Sequence, residues 1–170
     1  MNKIMLDLET MGNSANAAIV AIGAVRFNDI EVTDEFYIVI DLVSSVASGL
    51  EIEASTVMWW MKQSDDARKQ FERDGVALQK ALMQFAEWIG EDAELWGNGA
   101  AFDNAILSNA YRKCGIEQPW KFWNDRCYRT VKNLYTDIEL VRQGIYHCAI
   151  DDARSQATHL IQIMQQKVLK

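Results

Sequence analysis

Residues 3–8 (KIMLDL) form a short apolar run closed by turn residues at Gly12 and Asn13, which suits a buried strand. Two further segments, 17–27 (AAIVAIGAVRF) and 36–40 (FYIVI), are rich in β-branched and aromatic residues. They predict a second and a third strand, with Asn28-Asp29 turning between them. Helical spacing takes over after a loop at 41–54. Ser55-Thr56 reads as the cap of a short helix carrying Trp59, Trp60 and Met61, and Ser64-Asp65 as the cap of another. Leu78, Ala81, Leu82, Phe85, Trp88 and Ile89 then follow one helical face up to Gly90. Glu94-Leu95-Trp96 predicts a fourth strand, Gly97-Asn98-Gly99 a turn, 102–113 a helix and 122–126 a fifth strand. Val131, Leu134, Tyr135, Ile138 and Val141 mark a further helix. The last helix runs from about residue 150, with Ala153, Ala157, Leu160, Ile161, Met164 and Val168 on one face. This order places the chain in the α/β class. The sheet is five-stranded and mixed, antiparallel over its first three strands and parallel thereafter, with helices flanking it. One proline, Pro119, and no repeat or low-complexity stretch interrupt the pattern, so residues 1–170 read as a single domain.

Charge is where composition bears on function. Asp and Glu outnumber Lys and Arg, 24 to 17, for a net charge of −7. That counts against a protein that holds nucleic acid through a broad basic surface. It leaves room for an enzyme whose carboxylates are neutralised by bound Mg²⁺ or Mn²⁺, because such ions are the largest local charges in their site. Cys114, Cys127 and Cys148 are odd in number and lack C-x-x-C spacing, which argues against a disulfide framework or zinc site and fits a reducing, cytoplasmic setting. The N-terminus shows no signal-peptide pattern, and no apolar run reaches the ~18–20 residues of a membrane span. The six tryptophans are expected mainly to fill the core.

Asp7 and Glu9 stand two residues apart in the first strand and therefore project from the same face. Like charges that close are costly when buried unless a cation compensates, and oxygen ligands suit Mg²⁺ and Mn²⁺. At a strand end both can equally well reach solvent. Asp103 shares a helical stripe with Ile106, Leu107 and Ala110 near the start of its helix. The helix dipole accounts for an acid at that end, but not for its inward direction. His147 sits in a Gly144–His147 loop before the last helix, a place suited to proton transfer near neutral pH, or else simply a surface position. Asp151 and Asp152 follow it, and periodicity does not choose between them. Four acids and a histidine from the first strand, a middle helix and the last helix make up the set that two-metal phosphoryl chemistry needs. There, one ion activates water and the other stabilises the leaving oxygen, with the ions roughly 3.5–4 Å apart.

In this order, the residues resemble the DEDDh 3′→5′ exonucleases of the ribonuclease H-like fold. Asp7-Leu8-Glu9-Thr10 looks like the first motif of that family, D-x-E-T. The segment from Gly97 to Asp103 looks like the second, and His147-Cys148-Ala149-Ile150-Asp151-Asp152-Ala153 like the third, H-x-A-x-x-D-A. The spacing of the third motif carries the metal role to Asp152 and leaves Asp151 beside it. Ser55–Ser64 with Ala67-Arg68 resembles a helical signature of the small phage- and prophage-type, exonuclease VIII-like branch.

The resemblance implies two divalent ions, Mg²⁺ or Mn²⁺, held by Asp7, Glu9, Asp103 and Asp152, with His147 as general base. It implies a 3′-terminal nucleotide held by Thr10 and Met11, with Asn98 and Phe102 of the second motif close by. Trp59 or Trp60 would offer a stacking surface tolerant of any base. Many relatives carry a second threonine where this chain has Met11, which bears on recognition of the terminal hydroxyl but not on metal binding. The expected reaction releases nucleoside 5′-monophosphates from single-stranded or short 3′ ends of DNA or RNA. Related enzymes are often homodimers, which admits a second copy as partner. Two other readings remain: a nucleic-acid-binding or interaction module with little turnover, favoured by the negative charge, and an endonuclease of the ribonuclease H type.

Overall fold

The computed structural model describes the backbone of residues 2–168 and side chains through Gln166; the side chain of Val168 lies outside the described residues. The expected mixed sheet is present. Its strands are β1 (Asn2–Thr10), β2 (Ile19–Phe27), β3 (Val32–Val39), β4 (Ala93–Gly97) and β5 (Asp125–Cys127), in the spatial order β3-β2-β1-β4-β5. The β1/β2 and β2/β3 pairs are antiparallel, whereas β1/β4 and β4/β5 are parallel. The helices are α1 (Leu42–Ala47), α2 (Ala54–Trp60), α3 (Asp65–Arg68), α4 (Leu78–Ile89), α5 (Asp103–Cys114), α6 (Tyr128–Leu134) and α7 (Ala149–Val168).

Because strand side chains alternate faces, β1 serves two cores at once. Ile4, Leu6 and Leu8 pack with Leu82 and Phe85 of α4 and Ile106 and Leu107 of α5. Met5 packs on the other face with Tyr128 of α6 and Ala153, Ala157 and Leu160 of α7. The sheet is thus covered on both sides, which is why β1 is apolar on both faces from Ile4 to Leu6. Asp7 and Glu9 follow Met5 onto the face that α7 covers. No helix of the described residues is long and apolar enough to cross a membrane.

Several boundaries differ from expectation. The loop expected at 41–54 contains α1, whose N-cap Asp41 accepts the Val43 and Ser44 N–H groups; six residues are too few to show an apolar period. β3 begins at Val32 rather than Phe36, because Thr33, Asp34 and Glu35 are exposed and polar and carry no apolar signal. The strand expected to open at residue 17 begins at Ile19, and Ala17 instead bridges Glu51. α2 starts at Ala54, ahead of the expected Ser55-Thr56 cap, while Glu53 turns its carboxylate to the Asn13 and Ser14 N–H groups. The fifth strand is three residues long, preceded by a 3-10 turn at Phe122–Asn124. The helix expected through Val141 stops at Leu134. Leu134 and Val141 are 70% and 64% exposed, so the spacing that mimicked a helical face buries nothing at those two positions.

Candidate active site

Strand β1 outruns its parallel neighbour. The last β1/β4 pair is Leu6 with Gly97, after which β1 continues to Thr10. The Leu8 N–H therefore lies beyond the end of β4, and Asp103 Oδ1 accepts it at 3.1 Å. Asp103 Oδ2 accepts the Asn98 N–H, also at 3.1 Å, so the carboxylate spans the gap between the strand and the loop that follows β4. Gly97 makes this possible: a Cβ there would come within 2.3 Å of Asn104 Oδ1 and 3.2 Å of Asp103 Cβ. The inward direction of Asp103, 3% exposed, thus follows from a backbone vacancy that the acid fills.

The first turn of α7 supplies the opposite wall. Gly23 of β2 stands beside Asp7 in the sheet, and a Cβ on it would lie 2.2 Å from the Ala149 carbonyl carbon. The absent side chain lets α7 lie directly on the strands and brings Asp152 to Asp7 and Glu9. Each of these three acids offers an oxygen within 4.8 Å of the others. Gln156, one turn beyond Asp152, donates to Asp7 Oδ1 at 2.8 Å. Asp151 faces away: its oxygens take Arg154 Nη1 at 2.6 Å and the Ile145 N–H at 2.8 Å. The choice between the paired aspartates that periodicity left open is made here by geometry.

His147 has a φ of +62°, a left-handed conformation rare for a side chain of its size. Two bonds hold the turn. Its N–H donates to Asp152 Oδ2 at 3.1 Å, and its carbonyl accepts Gln70 Nε2 at 3.0 Å. The imidazole then stands edge-to-face against Trp59, with ring centroids 4.8 Å apart. Trp60 is 4% exposed and donates Nε1 to the Thr10 carbonyl at 3.0 Å, while Trp59 is 41% exposed. Trp60 is therefore largely a core residue that steadies the end of β1, and Trp59 is the open one. Both line a cavity of about 550 Å³ together with Thr10, Asn98 and Phe102. Met11 is buried in the apolar core and does not line that cavity.

Electrostatics sharpen the picture. Burial, then the Asp103, Glu9 and Asp152 charges, hold Asp7 well above the usual carboxylate range. Burial followed by Asp152 and Asp103 pushes Glu9 up to about 8. Burial raises Asp103 to about 7 against the opposing N–H groups of Leu8 and Asn98. Asp152 is raised by burial and held back chiefly by Arg142. Such a cluster carries its full charge only beside a cation. Glu9 Oε1 is buried and finds no hydrogen-bond partner among the described residues. Hard oxygen donors, one of them orphaned, fit a divalent ion such as Mg²⁺ or Mn²⁺.

The family described as the 3'-5' exoribonuclease Rv2179c-like domain matches residues 2–164. This chain belongs to that family. An exodeoxyribonuclease of Enterobacteria phage T4 is 28% identical over 160 residues, spanning 76% of this chain and 70% of the phage protein. Among solved structures, the nuclease domain of 3'hExo, described as a DEDDh family member bound to rAMP, superposes with a TM-score of 0.65 at 14% identity, over 97% of this chain and 92% of that one. Exonuclease X in complex with 5' overhanging duplex DNA gives 0.63 at 17% identity, over 98% and 93%. The fold is the ribonuclease H-like fold of the DEDDh exonucleases, and the chain is a 3′→5′ exonuclease acting on nucleic acid.

Several residues of this exonuclease's cavity escaped the sequence reading. Arg129, Arg142, Tyr146 and Gln156 all line it, as do Asn13, Ser55 and Thr56. Gln156 was findable in principle, since it lies one helical turn after Asp152 on the same face. The two arginines carry no such signal. They stand on α6 and on the loop before α7, and only the chain's path brings them to the acids.

Proposed function

We propose that this exonuclease hydrolyses the 3′-terminal phosphodiester of single-stranded or short DNA and RNA ends by two-metal-ion chemistry, with His147 as general base. The observation that carries the reading is the convergence of Asp7, Glu9 and Asp152 to within 4.8 Å, with one Glu9 oxygen buried and unpartnered. These three residues would hold one ion, and Asp7 would share a second with the substrate phosphate. Asp103 would join them through the lone pairs that its two backbone N–H bonds leave free, directly or through water. Bound there, the ions supply acidification of the attacking water and neutralisation of the leaving 3′ oxygen.

The side chains divide the remaining tasks. Burial lowers the pKa of His147 below the ordinary imidazole value, so its ring is neutral near pH 7 and able to accept a proton. The edge contact with Trp59 and the left-handed turn fix where that ring stands. The open Trp59 face offers stacking to a terminal base without selecting its identity. The family is described as exoribonuclease and the phage relative as exodeoxyribonuclease, which supports a site that accepts either sugar. Arg129 and Arg142 supply local positive charge that the net −7 conceals.

Matched DNA and RNA oligonucleotides labelled at the 5′ end, incubated with Mn²⁺, test the proposal. A ladder shortening from the 3′ end is expected, abolished in Asp7→Ala and His147→Ala. Undiminished digestion by either variant, or cleavage of a circular substrate, would overturn it.

A further inference from the structure

Arg142 stands on the loop between α6 and α7, and its guanidinium is held at two points. Nη1 donates to Asp152 Oδ1 at 2.6 Å, and the guanidinium carbon lies 4.1 Å from the centroid of the Tyr146 ring. Its side chain nevertheless remains 45% exposed, and it lines the cavity. The other Asp152 oxygen already accepts the His147 N–H. A divalent ion gathered by Asp7, Glu9 and Asp152 must therefore share one carboxylate with a guanidinium. Two positive centres on one carboxylate repel each other. An anion placed between them removes the repulsion, and the planar fork of arginine matches the paired oxygens of a phosphodiester.

Resting on the two-ion reading above, we propose that Arg142 is a phosphate contact of the site and couples ion binding to nucleic-acid binding through Asp152. Without a phosphate, Arg142 opposes the ion. With a phosphodiester bridging the two, each strengthens the other. By linkage the effect is reciprocal, so the ion raises affinity for the nucleic-acid backbone by the same factor. The tilted stack of Tyr146 on His147, with centroids 3.8 Å apart, ties the same arm to the proposed base.

The test is Mn²⁺ binding to the full chain, followed by the electron paramagnetic resonance signal of free Mn²⁺. It is measured with and without a short oligonucleotide whose 3′-terminal linkages are phosphorothioates. In the wild-type chain the oligonucleotide is expected to tighten Mn²⁺ about five- to tenfold. Arg142→Gln should bind Mn²⁺ alone about two- to fivefold more tightly and lose most of that coupling. Arg142→Lys keeps the charge without the fork and should retain part of it. The proposal is overturned if Arg142→Gln binds Mn²⁺ more weakly than wild type, which would make Arg142 merely an aligner of Asp152. Full coupling in the glutamine variant, or none in the lysine variant, overturns it as well. Normal Asp7-dependent Mn²⁺ binding and nucleotide release without an Arg142 effect removes this inference alone. Absence of both from the wild-type chain removes the two-ion reading and this inference with it.

Discussion

Asp151 and Asp152 are neighbours at the start of α7, yet their surroundings are opposite. Asp152 turns toward Asp7 and Glu9, whereas Asp151 is bound by Arg154, whose guanidinium also grips both Glu35 oxygens at 2.7 and 2.8 Å. Asp152→Asn is therefore expected to weaken Mn²⁺ binding by about tenfold or more, and Asp151→Asn to leave it within about twofold. Titration calorimetry of the two variants checks this, and equal losses would contradict the assignment. His147 belongs to a different class of effect. Its ring is not part of the acid triad, so His147→Ala should spare ion affinity while slowing nucleotide release by about 10²–10⁴-fold, the usual contribution of a positioned base. Single-turnover release at saturating Mn²⁺ reads that rate directly.

At the scale of elements, the site exists because two glycines let acid-bearing helices approach the sheet. Gly23 admits the first turn of α7, and Gly97 the first turn of α5. Gly23→Ala must push α7 from the sheet, since the backbone of Ala149 and Ile150 occupies the space a Cβ needs. The expected cost is about 1–3 kcal/mol of stability, as for other overpacked contacts. Asp152 would also be displaced from Asp7 and Glu9. Thermal melts together with Mn²⁺ titration check both halves. A variant that melts as wild type but binds the ion normally would show that α7 does not depend on this close approach. The unequal lengths of β1 and β4 are equally specific to the site, for they leave the Leu8 N–H to Asp103.

For the molecule as a whole, the buried acids make stability depend on pH in a definite direction. Glu9 at about 8, Asp103 at about 7 and a raised Asp7 all exceed the ordinary carboxylate range near 4 in the unfolded chain. Between those values the folded protein holds more protons than the unfolded one, so stability falls as pH rises. The contribution is complete below about pH 4 and is lost as pH climbs through 7 to 8. In EDTA the melting temperature is expected to decline from pH 5 to pH 8.5, and saturating Mg²⁺ should restore more of it at pH 8.5 than at pH 5. Glu9→Gln should flatten the decline, which separates the site from the general self-repulsion of an acidic chain. Scanning calorimetry across that range decides it, and an unchanged slope in Glu9→Gln would reject the cause given.

The sheet and its mixed topology were legible because strand periodicity and the alternation of strands with helices are local properties of the chain. Short or polar elements were not: α1 is too brief to show a period, and the outer half of β3 buries too little to need apolar residues. At the site, residues two apart on a strand must share a face, so the Asp7–Glu9 pair was fixed by β1 alone. The third motif named Asp152 by resemblance, but its direction came only from α7 lying on Gly23. Arg142, Tyr146 and the exposure of Trp59 were beyond reach, because loop paths and burial depend on every element that packs around them. Residue order and local periodicity were enough to state which acids are available and on which strand or helix each lies. Which of their oxygens meet depends on the folded chain, since a carboxylate's partners across the chain are set by close packing between elements and not by spacing within one.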